Sequence, residues 1–169
     1  MAKTNKKSTP KDSADQVITR NRKALHNYFV EERYEAGIVL VGTEVKSLRD
    51  HKVQLIDGYA RFEKNELWLL SVHISPYDKG THENHEPQRP RKLLMHRREL
   101  KRIQNKVEQA GFTLIPLGIY IKDGRIKCEL GLCKGKKLFD KRDSAAKREA
   151  ARDIARAHAQ QHRMRGDWR

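Results

Sequence analysis

Acidic residues are scarce in this chain of 169 residues: 22 Asp and Glu stand against 37 Lys and Arg, a formal net charge of +15. Such a deficit argues against cationic partners and for a polyanion, of which nucleic acid is the commonest. Cysteine is nearly absent. Cys128 and Cys133 are the only two, on a predicted strand and its exit. Their spacing suits neither a local disulfide nor a zinc knuckle, so both read as small core or near-core residues. Long hydrophobic runs are missing as well. Nothing is long enough to cross a bilayer, and the basic N-terminus lacks the apolar stretch of a secretory signal, so the expectation is a soluble, cytoplasmic protein.

Catalytic signatures are also lacking. There is no Walker-type phosphate loop and no Gly-x-Ser-x-Gly elbow. A metal-dependent nuclease built on Glu31, Glu32 and Glu35 is the rival reading, since clustered carboxylates hold divalent ions for phosphodiester cleavage. On a strand, however, Glu31 and Glu35 share one face and Glu32 takes the other. His82 and His85 with Glu83 and Glu86 resemble a metal loop but lack the His-Glu-x-x-His spacing. The chain is therefore expected to be no enzyme and to need no cofactor and no metal.

What is present divides into three segments. Residues 1–19 carry Lys3, Lys6, Lys7 and Lys11 and almost no large apolar side chain, which predicts a disordered basic arm. Residues 20–133 hold the strand signals: Tyr28 to Val30, Gly37 to Val41, and Tyr59 to Phe62 joined through Lys64 and Asn65 to Glu66–Ile74. The clearest hairpin runs from Ile119 to Ile121, turns at Lys122, Asp123 and Gly124, and returns through Ile126, Cys128, Leu130 and Leu132 at period two. Thr43 to Leu48 fits a short helical turn. Leu100, Ile103, Val107 and Ala110 repeat at helical spacing, and Gly111 stands where a helix end needs positive φ. Five or six short strands, one interrupting helix and a polar loop over 75–92 predict a mainly β fold with helices, an OB-like small β-barrel.

Residues 134–169 carry 12 Lys and Arg against 5 Asp and Glu. From Asp143 the helix propensity is high and Asp143 or Ser144 fits a cap, yet Ile154 is the one large aliphatic side chain before Met164. Such a helix has little to bury and orders only on a charged surface. Ahead of it runs Lys134, Gly135, Lys136, Lys137, Leu138, Phe139, Asp140, Lys141, Arg142: cations that can track phosphates, with one ring for an exposed base. A solvated linker with one anchoring aromatic is the alternative.

Several separated motifs resemble the small protein B family over about residues 20 to 157. They are Asn21, Arg22 and Lys23 ahead of Tyr28; Glu31 to Glu35 with Gly37; Gly42 to Leu48; Arg91 to Leu94; and Gly135 to Arg142. A Lys-rich Gly135–Lys137 alone is weak, whereas the order and spacing of the set are specific. The resemblance implies an OB-like barrel that binds the tRNA-like domain of tmRNA. It further implies a C-terminal tail that becomes helical in the empty mRNA channel of a stalled ribosome, near the small-subunit decoding centre.

Carried over by position, the resemblance makes Asn21, Arg22, Tyr28, Glu35, Tyr59 and Lys127, with Lys134, Gly135, Lys136 and Lys137, candidates for RNA contact. It gives Phe139, Asp140, Lys141, Arg142, Lys147, Arg148, Arg152, Ile154 and Arg156 to the ribosome-facing tail. Tyr28 and Tyr59 stack on unpaired bases or simply cover a strand; Lys127 neutralises a phosphate. Glu35 repels phosphate unless it accepts from a base edge or 2′-OH or orients a neighbouring cation. At Phe139 the family carries different rings, some with a polar atom, whereas Phe only stacks and packs. The extension with His158, His162, Arg163, Arg165 and Trp168 does not align. A general single-strand-binding OB protein remains the other reading of charge and fold, and a monomer suffices for either.

Overall fold

The computed structural model describes residues 16–80, 84–137, 140 and 156, the side chains of 109 and 110 excepted. In chain order its elements are β1 (Gln16–Arg20), α1 (Arg22–Asn27), β2 (Tyr28–Ile38), α2 (Gly42–Arg49), β3 (Val53–Gln54) and β4 (Tyr59–Glu63). There follow β5 (Glu66–Leu70), β6 (His73–Ile74), β7 (Arg91–Leu94), α3 (Arg97–Ala110), β8 (Thr113–Lys122) and β9 (Arg125–Gly135).

Local chemistry sets the two tight hairpins. Lys64 and Asn65, at φ 48° and 62°, and Asp123 and Gly124, at 49° and 73°, put two consecutive residues at positive φ. That backbone matches the twist of the strands it joins, pairing β4 with β5 and β8 with β9. The ring then closes: β8, β4, β5, β7, β2 and β9 follow one another antiparallel and β9 returns to β8. This is the expected small β-barrel. β1 extends it along the part of the β8 edge that β4 leaves open, pairing Gln16 through Arg20 with Ile121 through Gly118.

The interior follows the period-two pattern. Leu67 and Leu69 of β5, and Cys128, Leu130 and Leu132 of β9, are fully buried with Leu93, Leu114 and Ile119. β8 is covered on both faces, because α1 brings Ala24 against Ile115, Leu117 and Cys133 on the outside of the ring. Packing there is so close that a Cβ at Gly131 would lie 2.9 Å from Cys133 Sγ and 3.0 Å from a Leu117 methyl. Among the described helices α3 is the long one; it buries Ile103, packs Leu100 and Val107 beside it, and stops at Gly111, φ 62°.

One ion pair lies inside this apolar frame. Glu44 of α2 and Arg91 of β7 meet at 2.8 Å with side chains 0% and 1% exposed. Burial opposes ionisation of Glu44, but Arg89, the Val41 N–H and Arg91 outweigh it and leave its carboxyl below the ordinary range. The Arg91 guanidinium also donates to the carbonyls of Val72 and Pro87, so the pair is fully satisfied and pins α2 to the barrel wall.

Several expectations need adjustment. The arm placed over residues 1–19 overlaps β1 from residue 16 onward, because Ile18 is 6% exposed in the core once β8 supplies a partner edge. The tail expected from residue 134 onward gives its first two residues to β9, which runs to Gly135, with Lys134 and Gly135 opposite Phe29 and Tyr28. The single run Glu66–Ile74 divides at Ser71, φ 54°, which tucks Val72 inward and sends β6 to pair with β3. The polar loop ends sooner, at β7. Among the described residues no helix is long and apolar enough to cross a membrane.

Candidate nucleic-acid interface

The Asn21 side chain is used within the fold. At 4% exposure it caps α1 by accepting from the Ala24 N–H at 3.0 Å, and its amide donates to the carbonyls of Leu55 and Pro116 at 2.9 and 3.1 Å. It thereby fixes the short helix that presents Arg22 and Lys23, both exposed. Beside it, Tyr28 and Tyr59 pack against the Ala24–Ile115 cluster and together line a cleft of about 350 Å³ with Asn27 and Thr113. Each tyrosine is half-buried, so that it both covers the core and lines the cleft.

The tail leaves the barrel at this same end. Gly135 pairs with Tyr28; the Lys136 N–H donates to the Asn27 carbonyl at 2.9 Å. Lys134 and Lys137 are exposed, and the Lys137 N–H donates to Asp140 at 3.2 Å. Arg156 is exposed. Phe139, Lys141, Arg142, Lys147, Arg148, Arg152 and Ile154 lie outside the described residues, as do His82 and Glu83 of the supposed metal loop. His85 is held between Thr43 Oγ1 and the Ile74 carbonyl at 2.9 and 3.1 Å, so both ring nitrogens are engaged.

Glu35 and Lys127 form a second cluster at the other end of β2. Seven residues separate Tyr28 from Glu35, roughly 23 Å at the usual strand rise, so the two groups of candidates stand toward different ends of β2. The Glu35 carboxylate accepts from Tyr120 OH at 2.6 Å and Lys122 Nζ at 3.1 Å, and pairs with Lys127 Nζ at 3.4 Å. The Tyr120 hydrogen bond first, then Lys122, holds its carboxyl down at about 2. A carboxylate with these neighbours stays ionised and holds the donors that point at it.

Leu94 enters the sequence reading as part of the Arg91–Leu94 motif and not as a site residue. It is 52% exposed, sits across from Gly37 in the β2–β7 ladder, and lines one cleft with Glu35 and Lys127. An apolar side chain left in water between charged groups is the signal. It was illegible in a Leu-Leu pair, of which Leu93 is buried.

Glu32 and Glu35 of the nuclease reading are engaged separately. Glu32 takes Lys106, Arg102 and Tyr34 as partners, and the Lys106 hydrogen bond, followed by that from Tyr34, lowers its pKa. Glu35 faces its own lysines on the opposite strand face. Among the described residues no three His, Cys, Asp or Glu side chains stand together as a metal site. Burial pushes the Cys128 thiol up to about 12 and the Cys133 thiol to about 11, which suits packing and not nucleophilic chemistry.

Comparison with known proteins follows this geometry closely. The family model described as SmpB protein matches residues 18–160. A protein named SsrA-binding protein from Desulforudis audaxviator is 59% identical over 143 residues, covering 85% of this chain and 94% of that one. One of the same name from Carboxydothermus hydrogenoformans is 56% identical over 143 residues, covering 85% and 96%. A solved chain from work described as "tmRNA-SmpB: a journey to the center of the bacterial ribosome" superposes with a TM-score of 0.62 at 50% identity, covering 75% of this chain and 93% of that one. With motifs, barrel and matched length in agreement, the chain belongs to the SmpB protein family.

Proposed function

We propose that this protein binds the tRNA-like domain of tmRNA and delivers it to stalled ribosomes for trans-translation, as a cytoplasmic, non-enzymatic RNA-binding factor. The observation that carries this reading is the division of the candidate residues between the two ends of β2. The Glu35 end, with Tyr120, Lys122, Lys127 and Leu94, offers oriented donors and one apolar contact to a folded RNA. The Tyr28 end, with Arg22, Lys23, Tyr59 and Lys134, adjoins the root of the basic tail. A rigid barrel with RNA at one end and the tail leaving from the other completes a tRNA-like outline across its own width. The tail then reaches the empty mRNA channel of the small subunit, where phosphate attraction and a coil-to-helix transition register the missing message.

Salt titration of binding to the tRNA-like domain of tmRNA, with ordinary tRNA and an unstructured RNA as competitors, tests the reading. Selective binding that persists at raised salt supports it. Equal binding of all three RNAs, falling together with salt, leaves a general single-strand-binding barrel instead.

A further inference from the structure

Beside the Glu35 cluster a groove of about 410 Å³ opens between α2 and the β8–β9 turn, sharing Gly37, Leu94 and Lys127 with the cleft next to it. Its floor is apolar: Leu40, Val45, Ile121 and Ile126. Its rim carries Arg49, Arg125 and Lys127, the last paired with Glu35 at 3.4 Å, and among the described residues no carboxylate lines the groove itself. Both arginines are exposed, and neither is ion-paired with any described residue.

An apolar floor favours burying a flat uncharged surface, and a rim of cations without acids favours phosphates. An unstacked nucleotide carries both on one unit, whereas paired bases in a duplex keep their faces stacked and out of reach. We propose that this groove receives one unstacked nucleotide of the RNA held at the Glu35 end, its base against Leu40, Val45, Ile121 and Ile126 and its flanking phosphates on Arg49 and Arg125. The inference rests on the RNA-binding reading above and adds a subsite to it.

Two full-length variants test it against the tRNA-like domain of tmRNA. Val45→Trp fills the groove from α2 without altering charge. The double variant Arg49→Ala with Arg125→Ala alters only exposed side chains and keeps the floor. Filling the groove is expected to weaken binding about tenfold at an unchanged salt slope. Removing the arginines is expected to lower the slope by about two. With 2-aminopurine placed singly at the unpaired positions of the RNA, one position changes its fluorescence on binding the unaltered protein and not Val45→Trp. Unchanged affinity and slope in both variants, while the unaltered protein still prefers this RNA to ordinary tRNA, would overturn the groove alone. Loss of that preference in the unaltered protein overturns the underlying RNA reading. Circular dichroism melts separate either result from misfolding.

Discussion

Lys136 places its ammonium 4.8 Å from the centre of the Phe29 ring. The same nitrogen donates to the Leu25 carbonyl at 3.1 Å, and the backbone N–H holds Asn27. One position past β9 the chain is thus tied to α1 and the start of β2 by three contacts, which fix Lys136 against the barrel.

Replacing Lys136 by Ala is expected to loosen this root while leaving the barrel intact. A cation–π contact and one hydrogen bond together are worth about 1–2 kcal/mol. The residue-136 amide should therefore exchange with solvent roughly ten times faster in the alanine variant, and Lys136→Arg should stay close to the original. Equal exchange in all three proteins would mean the side chain does not hold the tail root.

Glu44→Gln leaves the Arg91 guanidinium in the interior without its counter-charge. Breaking a buried pair from one side costs about 3–5 kcal/mol, so a large drop in the urea midpoint is expected. Arg33→Ala, which removes the exposed pair with Glu129 at 2.7 Å, should change stability by less than about 1 kcal/mol. Comparable losses in the two variants would contradict the assignment of Glu44 as the internal anchor.

Glu35 gives stability a pH signature. Its carboxyl lies near 2 in the folded chain against an ordinary 4.5. Its contribution is fully present above about 4.5 and fades as the pH falls toward 2, where the folded form also takes up its proton. The side chain is 38% exposed, so solvent reduces the size of the effect. Thermal melts of the unaltered protein and Glu35→Gln should differ at pH 6 and converge on acidification. A gap that widens as pH falls would give the shift the wrong sign.

Asn21→Ala removes a helix cap and the donor that two buried carbonyls share, an expected loss of about 2–3 kcal/mol. Asn21→Ser restores the cap alone and should recover about 1 kcal/mol of it. Stability unchanged by either substitution would remove Asn21 from this structural role.

Deleting residues 143–169 is expected to spare binding to the tRNA-like domain and abolish tagging of stalled peptides. Affinity that falls with the deletion would unite the two activities that the ends of the barrel are proposed to separate.

Local chemistry made much of this legible in advance. The turns at Lys64–Asn65 and Asp123–Gly124, the period-two burial of Cys128, Leu130 and Leu132, and the stop of α3 at Gly111 each depend on residues within a few positions of one another. Asn21 and Glu35 were found through the family motifs, but their different tasks were not. A side chain's donors and acceptors are spent on partners far along the chain, Leu55 and Pro116 for Asn21 and Tyr120 for Glu35, and spacing does not encode those meetings.

The sequence alone determined the polyanionic partner class, the charge-dense tail, the short-strand barrel and the family, because composition, turn residues and ordered motifs carry them directly. Tertiary structure alone decided that residues 16–20 form a strand, since Ile18 is buried only once β8 offers its edge. It also decided that Glu44 meets Arg91 across 47 positions, and that Tyr28 and Glu35 serve opposite ends of one strand. The burial of Ile18 and the meeting of Glu44 with Arg91 are contacts between distant segments, whose energy exists only once those segments have come together.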